Sequence, residues 1–176
     1  MAICPILRMG HPLLGRLAEP VTHFDTPELH GLVRDLRDTM VASQGVGIAA
    51  PQIGVSLRVV VFSVASHPSH PDVEALPFTV LINPVLEPQS TEMNEAWEGC
   101  LSVPGMRGIV PRYNHIHYSA SDIQGVPIRR EVRDFHARLV QHECDHLDGI
   151  LYPYRIRDLR LFGFAEELLL DRWVEK

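Results

Sequence analysis

Cysteine is scarce in this chain of 176 residues, with three in all. Cys4, Cys100 and Cys144 are an odd and sparse set, so no disulfide framework is expected and a reducing cytosol is the expected compartment. Positive charge is short too. Lys and Arg number 16 against 22 Asp and Glu, a formal net charge of -6, which fits a phosphate backbone poorly and argues against nucleic acid as the main ligand. No apolar run approaches the roughly 18 residues that cross a bilayer, so no membrane partner is expected. Met1–Arg8 has neither a basic leader region nor a continuous apolar stretch, and is not Arg- and Ser-rich. What is present suits one globular core: 45% hydrophobic and 22% charged residues, the expectation being a single domain over 1–176.

Between Asp25 and Ser43, Leu29, Leu32, Val33, Leu36 and Met40 recur at helical spacing, with Asp25 or Thr26 to cap and Pro27 in the first turn. Leu57–Phe62 is short, apolar and β-branched, and predicts a buried strand. His67–Pro71 predicts a surface loop, and Thr79–Pro84 a strand ended by a turn. His115–Ala120 and Val126–Val132 flank Asp122–Gly125 as a hairpin. Asp134–Leu147 returns to helical periodicity, with Phe135, Leu139, His142 and His146 on one stripe and Gly149 as the stop. A last helix is expected near Leu159–Trp173. The class that follows is α+β, with antiparallel sheets packed around the helix that carries His142 and His146, and with an N-terminal and a C-terminal helix.

The strongest chemical signal is His142-Glu143-Cys144-Asp145-His146. Residues four apart on a helix stand one turn above each other, so both imidazoles can reach one metal ion. Glu143 lies beside the first of them, placed to accept a proton from the attacking water. A catalytic site of this type takes three protein ligands and keeps one position open. The third is open to several readings: Tyr152 stands where some HExxH proteases have a further His, Glu166 and Glu167 stand where others have a Glu, and Cys100 lies upstream in a loop bracketed by Gly99 and Pro104. Gly45–Gly54 is rich in small residues that permit close backbone approach, and Gln52 is its polar exception.

Three segments, Gly45–Gln52, Glu98–Ser102 and Gln141–His146, follow in this order the forms GΦGΦAAxQ, EGCLS and QHExDH, where Φ is apolar. On these motifs the chain resembles the peptide deformylases. The likeness extends to Ile6-Leu7-Arg8, His11-Pro12-Leu13, Val103-Pro104, Arg107 and Val110-Pro111-Arg112. It implies one catalytic domain that hydrolyses the N-formyl group from formyl-methionine at the start of nascent polypeptides and releases formate. It further implies a divalent metal on Cys100, His142 and His146, with Glu143 as base and the Gln52 amide and Leu101 N–H as donors to the oxyanion. By the same resemblance Val46 and Leu139 border the methionine pocket, the main chain at Val46, Gly47 and Gly99 pairs with the peptide, and Arg107 meets it further along. Glu98 and Arg112 would fix the Cys100 segment. Cys/His/His ligation by itself suggests Zn²⁺; the resemblance implies Fe²⁺ in the cell, with Zn²⁺, Ni²⁺ or Co²⁺ in isolated protein. It also implies nascent formyl-Met peptides as partners, transient ribosome contact, and a location in the bacterial cytoplasm, or in an organelle if a transit peptide has been removed. Two rivals stand beside it: an HExxH metalloprotease using Glu166 or Glu167 as third ligand, and a non-catalytic module that binds metal or peptide.

Overall fold

The computed structural model describes residues 3–65 and 75–168. Helix α1 (Pro27–Ala42) is followed by strands β1 (Gly47–Ala49), β2 (Val59–Val64), β3 (Leu76–Pro88), β4 (Met93–Cys100), β5 (Val103–Tyr113), β6 (His115–Ser121) and β7 (Pro127–Arg133), then helix α2 (Asp134–Leu147) and strand β8 (Phe162–Phe164). Short 3-10 turns cover Pro12–Gly15, Ala50–Ile53, Tyr152–Arg155 and Leu159–Leu161. The strands form a five-stranded sheet, β1-β2-β3-β6-β7, and a three-stranded sheet, β4-β5-β8. Every pairing between them is antiparallel.

The larger sheet is covered on both faces. Along β2 the side chains alternate: Val60, Phe62 and Val64 join the cluster beneath α2, while Val59 and Val61 join the cluster beneath α1. That double burial is why β2 reads as a continuous apolar run rather than an alternating one. Thr26 caps α1 by accepting from Leu29 N–H; Asp25 instead adopts φ 56° and pairs with His30. Eleven of the 14 residues of α2 are buried, so it runs through the interior, its apolar side packed on the larger sheet and its polar side chains bonded to β4 and β5 of the smaller one. Gln141, for one, clamps Tyr113 by accepting from its N–H (3.1 Å) and donating to its carbonyl (2.8 Å).

Helices α1 and α2 and the β6–β7 hairpin lie where periodicity put them. Three expectations need correction. Thr79–Pro84 does not end in a turn: β3 runs on to Pro88, with Asn83 at φ 53° inside an irregularity between Ile82 and Val85. Cys100 does not sit in a loop: it ends β4, and a tight turn of Leu101 and Ser102 leads into β5, with Cys100 opposite Val103. Glu95, Gly99, Gly105, Gly108 and Pro111 break any apolar alternation across these two strands, yet their register runs from Met93 opposite Tyr113 to Glu98 opposite Gly108. The helix expected over Leu159–Trp173 is, in its described part, a 3-10 turn followed by β8, because Met106–Gly108 of β5 offers an open edge that pairs with Phe162–Phe164. Residues from 169 onward, and the loop expected at His67–Pro71, lie outside the described residues.

Candidate metal centre and its cleft

Three elements converge on one point. β4 delivers Cys100 at its end, α2 delivers His142, Glu143 and His146 from one face, and the 3-10 turn after β1 delivers Gln52. A ligand atom from each of Cys100, His142 and His146 lies within 4.8 Å of the others, the group of three so found among the described residues. Cys100 Sγ is 3.3 Å from His146 Nε2. Glu98, two residues before Cys100, accepts from His142 Nδ1 at 2.8 Å, which leaves Nε2 as the free ring nitrogen and fixes the tautomer.

Electrostatics favours a cation at this point. Burial works against the charge on Glu98, but hydrogen bonds from His142 and Arg112 outweigh it and hold the carboxyl well below the usual carboxylate range. Burial likewise opposes a proton on His142, yet its bonds to Cys100 and Glu98 bring it up to about 10. The same thiol and carboxylate that favour the proton there would favour a metal cation in its place. His146 is held neutral instead, since burial and the neighbouring His142 push it well below its ordinary value. One thiol and two imidazoles, one of them anchored by a carboxylate, are a donor set suited to a divalent transition metal.

Glu143 points into the same space. It is buried, and its Oε2 has no partner in the structure; burial first, then the nearby Glu98, pushes its carboxyl up to about 7. The room for it comes from a missing side chain, because a Cβ on Gly47 would stand 2.3 Å from Glu143 Oε1. Gln52 is 1% exposed. Its Oε1 accepts from Ala49 N–H, and its Nε2 faces Ser102 Oγ at 3.1 Å and Cys100 Sγ at 3.6 Å. Leu7 N–H donates to Gln52 O and Met9 N–H to Ser102 O, so the N-terminal segment braces this side.

The centre opens onto a cleft of about 660 Å³. Val46, Gly47, Gly99, Leu101, Arg107 and Leu139 all border it. Glu98 and Arg112 form a buried two-pronged ion pair, both bonds 2.9 Å. Glu166 and Glu167 are exposed beyond β8 and belong to no ligand group among the described residues, and Tyr152 stacks against His142. Cys144 is buried away from the group, burial pushing its thiol far up.

Three contributors, Ser102, Arg138 and Arg155, were not singled out from the sequence, and Asp145 shows there only as an acid whose basic partner is not identified. Ser102 receives Gln52; Asp145 holds Arg112 from behind and is itself held by Arg155 at 2.7 Å; Arg138 donates to Glu98 at 2.7 Å. Each partner is 10 to 50 residues away in the chain, and only the charge of α2's buried residues hinted at them.

A family model described as polypeptide deformylase matches residues 3–161. The chain is 59% identical over 166 residues to peptide deformylase 1 of Nitrosomonas europaea, covering 94% of each. It is 59% identical over 163 residues to peptide deformylase 1 of Bordetella pertussis, covering 93% of each. Among solved structures, the Met-Ala-Ser-bound class I type b peptide deformylase of Acinetobacter baumannii superposes with a TM-score of 0.84 at 37% identity, over 88% of this chain and 99% of that one. A peptide deformylase from Legionella pneumophila gives 0.77 at 37% identity, over 90% and 89%.

Proposed function

Because the chain belongs to the polypeptide deformylase family, whose metal-dependent reaction hydrolyses the N-formyl group from the N-terminal methionine of new polypeptides, we propose that Glu143 is its catalytic base and that Cys100, His142 and His146 hold its metal ion. The observation that carries this reading is the buried, unpartnered Glu143 Oε2 beside the ligand triad. The ion, when bound, supplies Lewis acidity and makes water acidic enough to attack near neutral pH.

The chain's own groups do the rest. Glu143 takes the proton of the attacking water and passes it to the departing amine, so formate and a free methionine amine leave together. Glu98 keeps the His142 ring in one tautomer and one orientation. Gln52 Nε2 and the Leu101 N–H donate to the oxygen that gains charge as the formyl carbon becomes tetrahedral. In the ground state the Gln52 amide rests against Ser102 Oγ, a neutral acceptor that gives way to a charged one. Val46 and Leu139 flank the methionine side chain. The substrate main chain lies along Val46, Gly47 and Gly99 as an added strand, and Arg107 meets it downstream.

Formate release from formyl-Met-Ala-Ser, with no cleavage of internal peptide bonds, tests the reading. Internal cleavage, or metal content that follows Glu166→Ala or Glu167→Ala instead of Cys100→Ala, would overturn it. The ion proposed for the cell is Fe²⁺, which is open to oxidation beside a thiolate. Activity of freshly isolated enzyme should then decay in air while nickel-loaded enzyme persists; equal survival with zinc as the native ion refutes iron alone. We also infer action on nascent chains in the bacterial cytoplasm with transient ribosome contact, since the formyl group exists only at a chain's start. Failure to co-sediment with translating ribosomes under cross-linking would remove that contact.

A further inference from the structure

Arg138 is an arginine inside the protein, 8% exposed, on the wall of the cleft. It stands one helical turn before His142 on α2, and the two side chains reach the same carboxylate. Arg138 donates to Glu98 Oε1 at 2.7 Å while His142 Nδ1 meets Oε2 at 2.8 Å. Arg112 takes both oxygens from the other side, at 2.9 Å each. Each oxygen of Glu98 thus has two partners, and the pair that fixes its rotation includes Arg138. Three more bonds anchor the guanidinium: to Val110 O at 2.8 Å, to Asn94 O at 2.9 Å and to Asn94 Oδ1 at 2.5 Å. Arg138 therefore ties β4, β5 and α2 together at the residue that holds a ligand.

We infer that Arg138 is a positioning residue for the metal centre: by occupying Glu98 Oε1 it reserves Oε2 for His142, and so sets the orientation of that ligand. This rests on the reading of His142 as a metal ligand. With Arg138 gone, Oε1 keeps Arg112 Nε alone. The carboxylate is then held by the Arg112 fork alone, and His142 Nδ1–H meets a less rigid acceptor. Losses of 10- to 100-fold in metal affinity are typical when such outer partners are removed. The side chain packs between strands and helix and makes no claim on the reacting atoms.

The test uses the full chain loaded with Co²⁺, whose ligand-field bands report geometry directly. Arg138→Met should retain cobalt about tenfold less well in chelator competition, with shifted visible bands, and should lower kcat about tenfold while KM moves less than threefold. Arg138→Lys restores one N–H to Oε1 and should recover most of the retention and the spectrum. Asn94→Ala removes an anchor of Arg138 but leaves Glu98 its partner, so it should lower the melting temperature with cobalt retention within twofold of the parent. An Arg138→Met protein that keeps cobalt within twofold with unchanged bands overturns the proposal, as does an Asn94→Ala protein that loses cobalt equally. Should Arg138→Met not fold, Arg138→Gln carries the same comparison. Wild-type formate release from formyl-Met-Ala-Ser, measured separately, decides the deformylase reading, so the two failures are distinguishable.

Discussion

A buried carboxylate oxygen with no partner, next to a proposed metal ligand, is costly to keep unless its group handles protons, and Glu143 Oε2 is such an oxygen. Glu143→Ala should lower kcat/KM by about 10²–10⁴-fold, with metal content per chain unchanged by elemental analysis; loss of metal together with activity would give Glu143 a different role. The notch at Gly47 offers a second test, since a methyl group there would collide with Oε1. Gly47→Ala should fold, retain metal and lose at least about tenfold in kcat as the base is pushed off its line. At this scale the sequence was most legible where motif and spacing coincide. His142, Glu143 and His146 follow from helical period, and Cys100 from the motif it shares with known deformylases. Arg138, Ser102 and the Asp145–Arg155 pair were not legible, because a buried charge shows its purpose only beside its partner, and those partners lie on other elements.

The elements that could be read are those with one dominant apolar period. α1 and α2 carry a helical stripe, the β6–β7 hairpin has its turn residues at Asp122–Gly125, and β2 has its β-branched run. β4 and β5 escaped because their stability comes from pairing with each other and from the Glu98 ion network, neither of which leaves a pattern along the chain. The end of α2 shows the opposite case, a signal read correctly whose reason is tertiary as well as local. Gly149 has φ 70°, and a Cβ on it would lie 2.7 Å from Gly15 C, in the last residue of the first 3-10 turn. Gly149→Ala therefore meets both a left-handed backbone and an immovable neighbour. It should cost about 3 kcal/mol in urea unfolding; a change under 1 kcal/mol would mean the turn yields.

Across the whole molecule the metal centre is a junction. Cys100 belongs to the smaller sheet, whereas His142 and His146 belong to the helix packed on the larger one. An ion bound to all three stabilises the folded chain against any opening that parts the two, by an amount set by its free concentration over its dissociation constant: about 4 kcal/mol at a thousandfold excess. Removing it with a chelator should lower the melting temperature by at least several degrees, and the loss should be absent in Cys100→Ala. An unchanged melting temperature would show that the two sheets are held together by their own contacts alone.

β1 and β4 are each the outermost strand of their sheet, and both border the cleft. Amides on such open edges trade their hydrogens with solvent without any ladder having to break. An extended peptide laid between the two strands, as proposed, would close both ladders at once. Deuterium uptake at Gly47 and Gly99 would then be a built-in clock for occupancy: fast in the empty cleft, slowed for as long as each peptide stays, and running again when it departs.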